Sequence, residues 1–190
     1  MVLRQALLSG GVNHIDTGHS FRDHRAEYTV AKVLRTLFNK FGLSREEVFI
    51  NSKQGFIGNN SFVDAPQELV LEELKQQTSL TEDDFCILDN GKAYYSLDPA
   101  FLEFSLNFSL QKLGLETLDC VLLDDPFETT YWHEFTHAST ERREDRYYTK
   151  IAKAFEFYER AVQDGKIRSY GLTGTESLLQ DPVKFKRRME

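Results

Sequence analysis

One pattern constrains the fold of this chain more than any other. Short apolar runs of strand length are followed, repeatedly, by segments whose apolar residues recur at helical spacing. Residues 12–16 form a short run ending in the carboxylate of Asp16. Residues 25–41 then place Val30, Val33, Leu34, Leu37 and Phe38 on one helical stripe, with Asp23 near its start and Gly42 at its end as start and stop residues. Residues 48–51 read as a second strand. Asp64-Ala-Pro-Gln67 supplies the capping residue, N-terminal proline and capping-box glutamine of a second helix, which runs to about Gln77. Residues 85–88 read as a third strand. Residues 99–113 form a helix capped by Asp98, with Leu102, Leu106, Leu110 and Leu113 on one face. Cys120-Val-Leu-Leu123 is continuously apolar, as a strand buried on both faces is. A long polar loop is expected over residues 127–146, then a helix over 148–163 and a fifth strand over 167–172.

Strands alternating with helices imply right-handed parallel β/α units, which either close as a barrel or remain an open, doubly wound sheet. Five units reach Gly174 and leave residues 175–190 for one more helix, whereas a complete eight-unit barrel typically takes ~250 residues. No repeat, low-complexity stretch or Pro/Gly linker divides the chain, so a single domain over residues 1–190 is expected. The hydrophobic share of 41% supports a real core. A net charge of -7 argues against nucleic acid or an anionic membrane as partner, because both require a basic face. Cys86 and Cys120 each lie in an apolar stretch and are expected to be packed thiols in a reducing compartment. Residues 1–11 hold one Arg and an apolar run too short to span a membrane, with no small-residue cleavage site. The expectation is therefore no secretory signal, no membrane insertion and a cytoplasmic default.

Four segments in order resemble the aldo-keto reductase family: Asn13-His-Ile-Asp-Thr-Gly18, Phe49-Ile-Asn-Ser-Lys53, Ser109-Leu-Gln-Lys-Leu-Gly-Leu-Glu-Thr-Leu-Asp119 leading into Leu122-Leu-Asp-Asp-Pro126, and Gly165-Lys-Ile-Arg-Ser-Tyr-Gly171. The resemblance implies a parallel (β/α) TIM-barrel-type α/β fold, incomplete at about five of eight units. It also implies an activity: a nicotinamide cofactor delivers hydride to a carbonyl, a Tyr gives the proton, and an Asp–Lys pair with a His sets the acidity of that Tyr. Carbonyl reduction creates an alkoxide, which needs a positioned acid and dipoles aimed at the growing charge. Carried onto this chain, the Asp falls on Asp16 and the Lys on Lys53. The Tyr position, five residues after the Asp, is Phe21, which has no proton to give. The His position is Asp124, which donates only if its carboxyl is kept protonated. A substitute acid at His19, Tyr28 or Asp124 would have to reach hydrogen-bond distance of the substrate oxygen.

The same resemblance leaves only Ser169, Gly171 and Thr173 as cofactor contacts near a nicotinamide. The family's phosphate contacts come from later strands, and phosphate affinity comes from helix N-termini and Arg/Lys. No cofactor is therefore expected, or NADP if the chain is active. His133-Glu-Phe-Thr-His137 matches the zinc motif H-E-x-x-H, but it falls in the polar loop and no third ligand follows at a family spacing. No metal is expected there; Tyr131 and Trp132 make the segment a candidate partner contact instead. The leading functional expectation is a non-catalytic aldo-keto-reductase-like subunit whose open barrel is covered by other protein subunits. The alternative is an NADP-dependent oxidoreductase acting on aldehydes or ketones.

Overall fold

The structure is a computed structural model that describes residues 2–22, 25–58, 72, 74–81, 84–88, 93–127, 129 and 140–174. In chain order the elements are α1 (Val2–Ser9), β1 (His14–Asp16), α2 (Ala26–Phe41), a 3-10 turn (Arg45–Glu47), β2 (Phe49–Gln54), β3 (Phe56–Gly58), β4 (Cys86–Leu88), β5 (Ala93–Tyr95), α3 (Pro99–Leu113), β6 (Cys120–Leu123), α4 (Thr140–Gln163) and β7 (Tyr170–Leu172). The expected helix ends follow the capping chemistry. Asp98 accepts a hydrogen bond from the Ala100 amide at 2.8 Å, with Pro99 at the first helical position, and Gly42 and Gly114 close α2 and α3 in the left-handed conformation.

Four parallel strands make one sheet in the order β1-β2-β6-β7, so the chain is α/β with parallel β/α units, and the sheet is open among the described residues. The strand expected third does not join it. Cys86–Leu88 (β4) pairs antiparallel with β5, which pairs antiparallel with β3, in a separate sheet of order β3-β5-β4. β2 consequently lies directly beside β6, and the count of parallel strands is four rather than five. A short apolar run fixes neither the direction nor the partner of a strand, which is why residues 85–88 read equally well as a parallel unit.

Two helices also differ from expectation. α4 begins at Thr140, inside the segment expected as polar loop, because Thr140-Glu-Arg-Arg-Glu-Asp-Arg146 has no apolar period to betray a helix. α1 was not foreseen; its Leu3 and Leu7 pack against the core, and the Arg4 guanidinium lies 5.8 Å from the Phe41 ring centroid on α2. Asp23 and Asp64-Ala-Pro-Gln67 lie outside the described residues; residues 74–77 are helical. No described helix is long and apolar enough to cross a membrane.

Strand residues alternate between two faces. On the outer face Ile50, Val121 and Leu123 are buried in one core with Leu34 of α2, Leu102 and Leu106 of α3, and Ile151 and Tyr158 of α4. Each such side chain contributes ~1.5–3 kcal/mol on burial. Polar groups on this face are satisfied by the helices: Ser52 Oγ donates to Glu27 Oε1 at 2.8 Å, and Tyr158 OH donates to Gln54 Oε1 at 2.8 Å. Asn51 and Lys53, one residue out of phase, face the other way and meet β1. At the N-terminal end of the strands, buried Asp119 accepts from the Ile50 amide at 2.8 Å, from Arg45 at 2.7 Å and from Arg168 at 2.7 Å, tying β2, β6 and the approach to β7 together.

Candidate active site

The C-terminal ends of the parallel strands bring Asp16, Lys53 and Asp124 into one mouth. Lys53 Nζ donates to Asp16 Oδ1 and, at 3.4 Å, to the Thr17 carbonyl. The pair is lopsided: the lysine side chain is 9% exposed and the aspartate 55%. Asn51 extends it, donating from Nδ2 to Asp16 Oδ1 at 2.5 Å while its Oδ1 meets His14 Nε2. Burial works to raise the Asp16 carboxyl, but hydrogen bonds from Lys53 and Asn51 and the charges of Lys53 and His14 outweigh it, holding the group below its ordinary value.

Phe21 occupies the space over the lysine, with Lys53 Nζ 4.5 Å from its ring centroid. Such a ring offers the ammonium its negative face and offers a substrate no proton. Asp124 follows β6, its amide donating to the Gln54 carbonyl at 2.9 Å. Burial raises its carboxyl above the ordinary value, aided by the charges of Asp125 and Asp16 and opposed by the Thr173 hydroxyl and the Lys53 charge. Thr173 Oγ1 lies 3.2 Å from Asp124 Oδ1 and accepts from the Asp125 amide at 2.9 Å.

The three residues expected to contact a cofactor are spread along β7 and its flanks. Ser169 Oγ donates to the Asp119 carbonyl at 2.7 Å, toward the opposite end of the strands. Gly171 pairs with Leu122 in the row that continues to Lys53, and a Cβ there would lie 3.3 Å from Leu122 Cδ2, so close packing accounts for the glycine. Thr173 belongs to the mouth, where its hydroxyl is engaged by Asp124 and Asp125. At the same strand ends lie Asp16, Asp124 and Asp125 with the ammonium of Lys53. Of these strand-end residues only Lys53 could meet a phosphate, and its ammonium is already engaged by Asp16. His19, a possible substitute acid, is buried behind the sheet, and burial lowers its basicity. Tyr28 is half exposed on α2, near Lys112 rather than Lys53.

Several residues of the mouth escaped sequence reasoning. His14 and Asn51 each stand two positions before a motif residue, and the period of two in a strand places them on the same face as Asp16 and Lys53. Tyr95 is fully buried against Gly55, where a Cβ would meet its ring at 2.3 Å. Burial and the neighbouring Tyr158 push its hydroxyl well above the ordinary phenol range, with Thr129 opposing and Asp124 adding to the shift. The dipeptide Asn90-Gly91 between two strand-like runs is the sequence signal for a hairpin that would have brought Tyr95 into consideration. Among the described residues no group of three or more His, Cys, Asp or Glu side chains is placed to hold a metal ion; His133, Glu134 and His137 lie outside them.

Four parallel strands with an Asp–Lys pair at their C-terminal ends define an α/β protein built from parallel β/α units. A family model described as the Aldo/keto reductase family matches residues 1–181, and the chain belongs to that family. Solved structures share the fold. An aldo-keto reductase of Bacillus halodurans in its holo form superposes with a TM-score of 0.57 at 16% identity, over 96% of this chain and 44% of that one. The aldose reductase of Schistosoma japonicum gives 0.51 at 16% identity, over 95% and 47%. An aldo-keto reductase of the silkworm Bombyx mori, crystallised with NADPH, gives 0.50 at 18% identity, over 90% and 36%. The chain thus spans less than half the length of these relatives. No curated protein sequence matches it.

Proposed function

We propose that this chain is a non-catalytic aldo-keto-reductase-like protein, acting in the cytoplasm as a structural or interaction subunit of a larger protein assembly. The observation that carries the reading is the Phe21 ring seated over Lys53, where the family chemistry requires a proton donor. Among the described residues no strand pairs the outer edge of β1 or of β7, and unpaired edges are where another protein chain docks. Tyr131, Trp132 and His133, outside the described residues, are the proposed second contact. The test is reduction of a panel of aldehydes and ketones with NADPH, together with the mass of the native particle. We expect no turnover and a particle heavier than one chain; turnover that collapses in Lys53→Met would overturn the reading.

A second reading is NADP-dependent reduction of aldehydes or ketones. Its support is the intact Asp16–Lys53 pair together with Asp124, whose carboxyl burial raises above its ordinary value and so favours its holding a proton. Lys53-dependent turnover supports this alternative, and the same assay with Asp124→Asn shows whether Asp124 carries the proton.

A further inference from the structure

We propose that residues 17–22 form a latch that closes Phe21 over the Lys53 ammonium, and that the buried Glu27 carboxylate holds the latch shut from the far side of the sheet. The segment straddles the rim of the sheet. It continues the β1–β2 ladder, the Thr17 amide donating to the Asn51 carbonyl at 3.0 Å and the His19 amide to the Lys53 carbonyl at 3.2 Å. It then turns, the Phe21 amide donating to the Gly18 carbonyl at 3.1 Å, and joins α2 where the Ala26 amide donates to the Phe21 carbonyl at 3.2 Å. Gly18 lets the aromatic ring lie flat across the turn, since a Cβ there would sit 3.0 Å from the ring. Arg22 takes a φ of 52°, a conformation that side-chain-bearing residues rarely adopt. The closed turn thus carries one residue in an unfavoured backbone conformation, held by these backbone hydrogen bonds together with the side-chain contacts of Phe21 and His19.

Those contacts lie on opposite faces. On the mouth side the ring covers Lys53, which is only 8% exposed. On the helix side His19 is buried, its Nδ1 3.8 Å from Glu27 Oε2 and its ring edge-on to Phe108 of α3 at 6.0 Å. Glu27, fully buried at the start of α2, also accepts from Ser52 Oγ at 2.8 Å and faces Lys112 Nζ of α3 at 4.0 Å. A buried carboxylate is tolerated only while such partners surround it, so withdrawing His19 with the segment strips Glu27 of one of them. Access to Lys53 is in this way set by the layer of α2 and α3, whether or not the mouth reacts.

The test is brief acetylation with acetic anhydride at one fixed pH, with Lys53 modification read by peptide mass spectrometry and Lys32 as internal control. Phe21→Ala should acetylate at Lys53 about tenfold faster, the scale of losing a partly desolvated cation–π contact. Glu27→Gln, which touches neither Phe21 nor Lys53, should also accelerate Lys53 several-fold and leave Lys32 unchanged. If Glu27→Gln does not fold, Ser52→Ala removes one hydrogen bond from the same carboxylate and should show a smaller rise. Lys53 reactivity indistinguishable from wild type in the folded Glu27 or Ser52 variant overturns the latch, as does an unresponsive Phe21→Ala.

Discussion

Replacing Asp119 by Ala should cost about 3 kcal/mol of stability, the lower end of what breaking a buried charge pair removes. The magnitude follows from what each partner loses. The Ile50 amide, on a fully buried residue, loses its acceptor and is left unsatisfied, at about 1–3 kcal/mol. Arg45, with a 21% exposed side chain, keeps the Val48 carbonyl at 2.6 Å and the Thr117 carbonyl at 3.0 Å and so loses only part of its support. Arg168, 57% exposed, returns to water, and a pair of that kind contributes only ~0–1 kcal/mol. For a chain of this size a loss of ~3 kcal/mol lowers the melting temperature by about 6–12 °C. Urea unfolding followed by circular dichroism, with a thermal melt beside it, measures both. Arg168→Ala should lose under ~1 kcal/mol, and Asp119→Asn, which still offers the Ile50 amide an acceptor, should fall between the two. Equal losses for Asp119→Ala and Arg168→Ala would refute the assignment of the energy to the buried amide and Arg45.

Gly55→Ala should be destabilised by about 3 kcal/mol or more, because the new Cβ lies 2.3 Å from the Tyr95 ring at a φ of 123°; a melt that does not move would show that Tyr95 yields. Burial lowers Lys112 to about 8, with Glu27 opposing, so the unfolded chain binds more protons between that value and the ordinary 10.5. Stability should rise with pH from about 8 toward 10, and Lys112→Met should remove the rise in pH-dependent urea titrations. Above pH ~10 the trend reverses, because buried Tyr95 and Tyr158 hold their protons longer than unfolded phenols do. Phe21→Tyr combined with Asp124→His should leave NADPH-dependent carbonyl reduction at or near background, because neither substitution adds a permanent cation or helix N-terminus for the cofactor's phosphates; a rate well above wild type would show that those two substitutions alone silence the mouth.

Much of the architecture was legible because its signals are local. Asp98, Pro99 and the four leucines of α3 specify a capped, one-faced helix whatever it packs on, and Gly42 ends α2 in the conformation that glycine adopts most readily. Asp16 could be placed at a strand end because it closes a short run before Gly18, whereas Lys53 lies beyond the strand read from the residues and was placed by the resemblance to the aldo-keto reductase motif. What was not legible depends on partners distant in sequence. Cys86–Leu88 has the composition of a buried parallel strand, and only its antiparallel pairing with Ala93–Tyr95 decides otherwise. The burial of Glu27 among His19, Ser52 and Lys112 requires three other elements to converge, and in sequence it reads as an ordinary acidic residue in the first turn of a helix. Thr140–Gln163 begins with charged residues, so its first turns are silent to any reading based on apolar period.

The spatial order β1-β2-β6-β7 is also the order in which the strands leave the ribosome. Each new strand of this sheet can therefore be laid against the one made before it, without threading past a later segment. The wait is uneven. β2 ends at Gln54 and its neighbour begins at Cys120, so at ~5–20 residues per second the free edge of β2 stands open for roughly 3–13 s of synthesis. During that interval β3, β4 and β5 emerge, and they pair with one another in antiparallel fashion instead of adding to that edge. By segregating into their own sheet they leave the edge of β2 vacant for β6, and the nascent chain avoids a mispairing that its short apolar strands would otherwise invite.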